Sequence, residues 1–315
     1  MEEKKLGLLK AVLVLFATIV ILLGLLAVYP FWLVFVKIAN LIGVNGIRNI
    51  NGKLQTPVVF YEHPVTKRIV AFVAAIHIGE PAYYAKIQKL IDSLTLKSYK
   101  ILFEGIGKMS PQEEETLTPK EQEVAKQFRF VFDLIQKIAE VMSLQLQKEG
   151  LTYASSWVNT DMKLYDLIRS FARKNIDLVD LNKEKNIDRL SNESGQAIMR
   201  WLINKLFNRF VPLSIIFAIT TFFSKNKRLA QKLILDDRNK IAVQGINEYL
   251  RDSNIVTIWG AAHLAGIEKQ LKRAGFREIR REWFTAYTVK NYSLLNIPIN
   301  FTKEAANAAT TLKKD

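Results

Sequence analysis

A pattern that occurs twice constrains the fold of this chain more than any other feature of its sequence. Each copy is an apolar, β-branched run that ends near a histidine and is followed by a glycine and a helix-periodic segment. One copy runs from Arg68 to Leu90 and contains His77, and the other runs from Asn254 to Lys272 and contains His263. Because ligands of open α/β sheets bind at the carboxyl ends of strands, we expect both histidines to face one crevice.

The remaining periodicity also predicts an α/β fold. Besides the two repeated runs, strands are predicted at Thr56 to Tyr61, Lys100 to Glu104, Ile176 to Leu181 and Phe276 to Lys290. Helices are predicted at Pro111 to Lys148, Asp161 to Lys174, Asn192 to Asn208 and Leu229 to Arg251. A turn at His63 is expected to join the first two strands as a hairpin.

The amino-terminal part predicts a membrane anchor. Residues Ala11 to Val36 include no charged side chain, and this run exceeds the roughly 20 residues that cross a hydrocarbon core. A cleaved signal peptide is the alternative, but its apolar region would be shorter and followed by a small-residue cleavage site. We therefore expect a single-pass membrane protein, with basic residues on both sides of the span leaving its orientation open.

The chain divides into an anchor (1–37), a connector (38–55), an α/β domain (56–292) and a polar tail (293–315). Within the domain, Phe210 to Phe223 is an apolar run too short to span a bilayer, and basic residues flank it. It is typical of an interfacial segment that contacts lipid, but a buried core helix or a dimer contact fits equally well. The oligomeric state is not readable from the sequence.

Composition narrows the chemistry and the partners. The chain has no cysteine, which excludes thiolate metal sites and cysteine nucleophiles. A net charge of +15 suits nucleic acid or anionic lipid, but the basic residues are scattered and form no platform with aromatic residues. We therefore expect anionic lipid, and no nucleic acid, as a partner.

Three residues at predicted strand ends, His77, Glu104 and His263, are candidates for one site. Two imidazoles and a carboxylate suit a catalytic divalent metal with open coordination positions. The three residues are far apart in sequence and the helical HExxH pattern is absent, so spacing alone also allows hydrogen-bonded structural roles.

Four runs of the sequence together resemble the TraB/PrgY/GumN family, relatives of the Tiki membrane-anchored metalloproteases. That family is marked by two GxxH motifs, a strand-end glutamate and an arginine in the helix before the second motif. The second motif is intact from Gly260 to His263, whereas the first has Ala74 in place of glycine, which adds a methyl group. Glu104 and Arg238 fill the other two places. The runs are AAIHIGEPAYYAKIQKLI, ILFEGIG, DDRNKIA and IVTIWGAAHLAGIEKQLKRAGF.

The resemblance implies a mixed sheet of two related halves, covered by helices, with a metal-dependent hydrolytic site. The expected substrate is a peptide or a similar amide near the bilayer, and the expected cofactor is a divalent ion such as manganese, cobalt or zinc. Other members of the family are associated with limiting peptide-pheromone signals. The alternative is therefore a non-catalytic, membrane-tethered protein that binds or sequesters a peptide.

The resemblance also implies roles for single residues. His77 and His263 are expected to ligate the metal, and Glu104 is expected to be a third ligand or the base that activates water. Arg238 is expected to hold an oxyanion or a substrate carboxylate, or else to form an ion pair with a nearby acid. The acids considered for that pair are Asp236, Asp237 and Glu104.

Two further acidic residues are predicted to be helix caps. Glu80 precedes the helix of the first repeated pattern, where a carboxylate stabilises the helix dipole. Asp161 follows Asn159 and Thr160 at the start of a predicted helix.

Overall fold

Two strands that are buried on both faces form the centre of the structure, and they are the apolar runs of the repeated pattern. The computed structural model describes residues 46–106, 109–178 and 226–289. The strands are β1 (Arg48–Ile50), β2 (Lys53–Glu62), β3 (Ile69–Ala75), β4 (Ile78–Gly79), β5 (Lys100–Phe103), β6 (Gln145–Leu146), β7 (Val158–Asn159), β8 (Ile255–Gly260) and β9 (Arg277–Thr288).

The described helices surround this sheet. They are α1 (Pro81–Thr95), α2 (Pro111–Glu115), α3 (Pro119–Met142), α4 (Gln147–Gly150), α5 (Leu164–Arg173), α6 (Lys227–Gln231), α7 (Arg238–Tyr249) and α8 (Leu264–Arg273). A π-helix, Lys232–Asp237, joins α6 to α7, and a 3₁₀ turn, Ala261–His263, joins β8 to α8.

The main sheet is mixed, with one antiparallel half and one parallel half. Strand β2 pairs antiparallel with β9, β3 and β1, and the hairpin of β2 and β3 closes around His63 as predicted. From β3 the sheet continues through β8, β5 and β7, all parallel. The fold is therefore the α/β fold with a mixed, helix-covered sheet that the sequence predicts. A separate pair, β4 and β6, lies beside it.

Alternate residues of β3 and β8 enter two separate apolar clusters, which explains why both strands are nearly continuous apolar runs. One cluster joins Phe72 and Trp259 to α7 and α8, and the other joins Val73 and Ile258 to Ile87 of α1. A third cluster packs α3 and α5 against the segment that leads into α7. Helices thus pack on both faces of the central strands. The carboxyl ends of the parallel strands lie together at one end of the sheet.

Several predicted helix bounds change in the structure. The long helix predicted from Pro111 is divided in two, because Ser110 and Thr118 each form a capping box that starts a new helix. The second of these ends at Met142, where Ser143 adopts a left-handed conformation with φ 53°. The strand predicted from Ile176 does not form over its described residues, Ile176 to Leu178.

Glu80 precedes α1, as predicted, but its side chain does not cap the helix. Instead Oε1 accepts a hydrogen bond from the backbone N–H of Thr288, at 2.8 Å. The carboxylate therefore ties α1 to the end of β9, and the predicted capping role is wrong in this respect.

The described sheet begins before Thr56. Strand β1 and the first residues of β2 fall within 38–55, the range assigned to a connector, and Leu54 is buried in the cluster with Phe72. The predicted anchor (Ala11 to Val36), Asn192 to Asn208, Phe210 to Phe223 and the tail (293–315) lie outside the described residues. Among the residues that are described, no helix is long and apolar enough to cross a membrane.

The burial of Leu54 predicts that this early part of β2 contributes to stability. Leu54→Ala should lower the free energy of unfolding by about 2–5 kcal/mol, because it leaves a cavity under the sheet. The matched control is Leu96→Ala, since Leu96 is 87% exposed and the change there should stay within about 0.5 kcal/mol. Urea unfolding of the two variants would measure both, and equal stabilities would contradict the prediction.

Candidate functional site

All four parallel strands deliver a polar residue just beyond their carboxyl ends, and these residues gather at one edge of the sheet. His77 follows β3, His263 ends the turn after β8, Glu104 follows β5, and Asp161 follows β7. Since the strands are adjacent and parallel, this edge is where an α/β sheet usually binds its ligand.

Arg238, the first residue of α7, connects two of these acids. Its Nη2 donates to Glu104 Oε1 at 2.5 Å and to Asp161 Oδ2 at 2.6 Å, and its Nε donates to Asp161 Oδ1 at 2.8 Å. The Asp161 side chain is fully buried, and those of Arg238 and Glu104 are 4% and 8% exposed. Burial alone lowers the pKa of Arg238, but Asp161 and Glu104 outweigh burial and raise it above its usual value.

A backbone irregularity supports the same arginine. The π-helix ends immediately before Arg238, and a π-helix leaves a carbonyl outside the usual helical hydrogen-bond pattern. Arg238 Nη1 donates to the carbonyl of Ile234, which lies within the π-helix, at 3.3 Å. Every nitrogen of the guanidinium therefore has a partner inside the protein.

Glu104 is held ionised by its surroundings. Its Oε2 accepts a 2.5 Å hydrogen bond from the backbone N–H of Gly260. Burial by itself raises the pKa of Glu104, but Arg238, then His263 and His77, outweigh burial and hold the pKa at about 2. A Cβ on Gly260 would lie 3.1 Å from Oε2, so the glycine of this motif permits the close approach.

His263 is buried and fixed in one tautomer. Its Nδ1 lies 2.8 Å from Asn239 Oδ1, an acceptor, so Nδ1 carries the proton and donates it. Burial is the main cause that lowers the pKa of His263 to about 4, against the opposing charge of Glu104. At neutral pH the Nε2 lone pair is therefore free, and Nε2 lies 3.5 Å from Glu104 Oε1.

Asn239 reaches His263 only because α8 has a glycine at the contact. A Cβ on Gly266 would lie 2.1 Å from Asn239 Nδ2, well inside any real contact distance. Trp259 packs edge-on against the imidazole, with ring centroids 5.0 Å apart. These contacts leave the His263 ring little freedom to rotate.

His77 differs from His263 in exposure. It lies on an exposed bend after β3, and its backbone carbonyl accepts a hydrogen bond from the N–H of Gln147 at 2.8 Å. His77 contributes to lowering the pKa of both Glu104 and His263, so it lies within electrostatic reach of the pair.

Ala74, the first residue of the AxxH run that ends at His77, has a simple structural setting. Ala74 is fully buried inside β3, where its methyl group belongs to the cluster with Trp259. Gly260 is paired in register with Ala75 rather than Ala74, so the two motifs are offset by one position. The methyl group of Ala74 is accommodated in the core, and its carbonyl accepts from the hydroxyl of Tyr83 at 3.3 Å.

The described side chains around the Glu104–His263 pair are not gathered around one point. Among the described residues, no group of three or more His, Asp or Glu side chains is close enough together to hold a metal ion. However, the paired Glu104 Oε1 and His263 Nε2 are both lone-pair donors. The two carboxylates outnumber the one guanidinium, which leaves a net negative charge in the buried cluster.

The structure decides between the two interpretations of Arg238 only in part. The predicted ion pair is present, with Glu104 as one partner, but the second partner is Asp161. Asp237 instead pairs with Lys240 near the surface. The predicted capping role of Asp161 is therefore wrong, because α5 begins later, after Lys163.

Asn239 was missed, although it stands beside Arg238 in the DDRN run. The sequence offers no signal that an asparagine on a helix will meet a particular histidine. Its one distinguishing feature in the sequence is adjacency to Arg238, which the resemblance singles out.

Gly46, the first described residue, packs against this site. Gly46 has φ 74°, and a Cβ there would lie 2.9 Å from the carbonyl oxygen of Ala261 and 3.1 Å from the Leu264 side chain. Only glycine allows this approach in a left-handed conformation. Gly46 thus packs against the turn that carries His263.

Comparison with known proteins adds no assignment. No protein-family model matches the chain, and no curated protein matches it either.

The buried ion pair predicts unequal roles for two aspartates. Asp161→Ala should lower the free energy of unfolding by about 3–5 kcal/mol, because it leaves part of a buried guanidinium unpaired. The control is Asp237→Ala, whose partner Lys240 is exposed and whose cost should be about 0–1 kcal/mol. Urea unfolding would compare them, and a similar cost for both would show that Asp161 does not hold a buried charge.

The pKa shifts predict that the protein, once a chelator has removed any metal, loses stability in acid. The pKa of His263 is about 4 when folded and 6.5 ordinarily, so only the unfolded chain takes up this proton as pH falls from 6.5 towards 4. Glu104, with a folded pKa of about 2, extends the loss below pH 4.5. We expect the unfolding free energy to fall by a few kcal/mol, roughly, between pH 7 and pH 4.

The variant His263→Gln should flatten this dependence between pH 6.5 and pH 4. His63→Gln is the control, because His63 lies in the β2–β3 turn, away from the site, and its variant should keep the wild-type slope. Urea midpoints at a series of pH values provide the measurement. A His263→Gln variant with the wild-type slope would rule out a buried neutral histidine.

Proposed function

We propose that this chain is a membrane-anchored, metal-dependent hydrolase that acts on a peptide or a similar amide. The observation that carries the proposal is the Glu104–His263 pair, in which a carboxylate oxygen and an unprotonated imidazole nitrogen lie 3.5 Å apart at the carboxyl edge of the sheet. Two adjacent lone-pair donors without a proton between them favour a bound cation.

Asn239 supports His263 in the manner of residues behind a metal ligand. Metal-ligating histidines usually donate their other ring N–H to a carboxylate, carbonyl or amide oxygen, which fixes the tautomer. The Nδ1 hydrogen bond to Asn239 Oδ1 leaves Nε2 as the ligating atom. Arg238 and Gly260 likewise fix the Glu104 carboxylate, so two of the proposed ligands are oriented before any ion binds.

His77 is the proposed third ligand, on the exposed side of the site. A divalent manganese, cobalt or zinc ion would lower the pKa of a water molecule and polarise a substrate carbonyl. The pKa of Glu104, about 2, makes this carboxylate a poor proton acceptor, so we assign it as a ligand rather than the base. Arg238 acts here by holding Glu104 in place.

The remaining elements of the proposal come from the sequence. The resemblance to the TraB/PrgY/GumN family proposes two related halves, the first centred on β3 and α1 and the second on β8 and α8. The uncharged run from Ala11 to Val36 proposes the single-pass anchor, and Phe210 to Phe223 proposes a second lipid contact. The side of the membrane is left open.

One observation favours a second candidate, a tethered protein that binds a peptide without cutting it. Arg238 already occupies Glu104 Oε1, and the described side chains form no ready group of three metal ligands. A binding protein would keep this ion pair as a rigid support and would need no metal.

Metal content is the measurement that separates the two candidates. The full chain, purified in detergent and stripped with a chelator, should take up close to one manganese, cobalt or zinc ion per chain. His263→Ala and His77→Ala should lose that uptake while remaining folded, and the control His63→Ala should keep it. Asn239→Ala should weaken the metal affinity by about 10- to 100-fold, because the tautomer is no longer fixed.

Mass spectrometry would count the bound metal, and circular dichroism would check the folding. Wild-type chain that binds none of the three metals would sink the hydrolase proposal and favour the peptide-binding protein. With metal bound, cleavage of a mixed peptide library should depend on His263.

A further inference from the structure

Several segments meet at the amino ends of the parallel strands, at the end of the sheet opposite the candidate site. They are the β2–β3 turn (63–68), the loop 96–99 before β5, the loop 250–254 before β8 and the link 273–277 into β9. The strand register brings them together, because β3, β8 and β5 start side by side and β9 starts beside the end of β2. Four strand spacings separate β9 from β5, so this amino-end surface is roughly 20 Å wide.

Direct contacts join these segments into one surface. Arg68 Nη2 donates to the backbone carbonyl of Arg251 at 3.0 Å, and the N–H of Ile69 donates to Asn254 Oδ1 at 3.0 Å. The His63 ring packs edge-on against Phe276, with centroids 5.2 Å apart. The turn is therefore held against both the loop before β8 and the link into β9.

Large apolar side chains project from the amino-end surface into solvent. Val65 at the tip of the turn is 82% exposed, Leu96 after α1 is 87% exposed, and Ile279 near the start of β9 is 53% exposed. Among the described residues, only Phe132 and Leu229 are other large apolar side chains with such exposure. A single exposed apolar residue is ordinary, but their concentration at one end of the molecule is typical of an interaction surface.

Basic side chains surround the apolar ones. Within the described part of the chain, none of these basic groups lies within salt-bridge distance of a carboxylate. The nearby acids Glu62 and Asp252 are outnumbered, and Glu278 is already paired with Arg281. The basic residues are Lys67, Arg68, Lys97, Arg251, Arg273 and Arg277.

Exposed aliphatic side chains among unpaired cations match the chemistry of an anionic bilayer surface. The apolar groups can enter the boundary between headgroups and acyl chains, while each lysine or arginine near the surface contributes about 1 kcal/mol of attraction to anionic lipid. A nucleic acid would use the charges but not the aliphatic tips, because aliphatic side chains offer no plane on which bases stack.

We infer that the amino-end surface rests on a bilayer that contains anionic lipid, with Val65 and Leu96 at the lipid boundary. The inference rests on the membrane part of the proposed function and is independent of the metal site. Strand β8, six residues or about 20 Å long, separates this surface from the turn against which Gly46 packs. About ten residues join the proposed anchor to Gly46, enough to cover that distance when extended. The candidate site then faces away from the lipid.

The test places a single fluorophore on the full chain, which has no cysteine of its own. Val65→Cys carries the label at the amino-end surface. Lys148→Cys is the control, because Lys148 is exposed and follows Gln147, whose N–H bonds the His77 carbonyl at the opposite end of the sheet. Each labelled protein is reconstituted into phosphatidylcholine vesicles with or without phosphatidylserine, and quenching by a nitroxide-labelled lipid is measured.

A second pair of variants tests the charges in the Val65→Cys protein. Arg273→Gln with Arg277→Gln removes two charges from the amino-end surface. Lys126→Gln with Arg129→Gln removes two exposed charges of α3, which also lack a carboxylate partner among the described residues. Circular dichroism checks the folding of all variants.

We expect strong quenching at position 65 in vesicles with phosphatidylserine, several-fold less in phosphatidylcholine alone, and little at position 148 in either. Removing Arg273 and Arg277 should weaken the lipid contact roughly fivefold per charge, and the α3 variant should keep it.

Absence of quenching at position 65, equal quenching in both lipids, or equal loss in both double variants would overturn the inference. Quenching at position 148 instead would place the site edge on the bilayer and overturn it too. Binding of soluble heparin through Arg273 and Arg277 without lipid contact would show a soluble polyanion as the partner. If the wild-type chain does not float with vesicles of either composition, the membrane part of the proposed function fails together with this inference.

Discussion

The buried contact of one guanidinium with two carboxylates is the interaction on which the arrangement of the site depends. Arg238 reaches Glu104 after β5 and Asp161 after β7, so a residue of α7 sets the position of two strand ends. Removing two carboxylates and a guanidinium from water is costly, and their mutual pairing offsets that cost together with the hydrogen bonds to Gly260 and Ile234. The cluster therefore holds its side chains in fixed positions. It contributes more to the geometry of the site than to net stability.

The two histidines near this cluster differ in burial and in hydrogen bonding. Burial and the Asn239 contact keep His263 neutral and in one tautomer, whereas His77 stays exposed on a bend. A fixed inner imidazole and an accessible outer one would suit the proposed metal site, which must admit a ligand from solvent.

The sequence predicted the parts of the fold that rest on long apolar runs. Strands β3 and β8 are nearly continuous apolar runs, and the late strand β9 shows partial alternation. The ends of the predicted strands placed His77, Glu104 and His263 at one end of the sheet. The role of Asp161 could not be predicted, because β7 has two residues and an aspartate before a helix has the same local signature as a cap. The role of Asn239 depends on a contact between distant segments, which no local pattern encodes.

The position of Gly46 limits the distance between the proposed anchor and the site. About ten residues separate Val36, the end of the uncharged run, from Gly46, and a fully extended chain of that length spans no more than roughly 35 Å. Because Gly46 packs against the turn that carries His263, this segment would keep the proposed site within roughly 35 Å of the bilayer. Substrates would then be selected by their height above the lipid surface as well as by their chemistry.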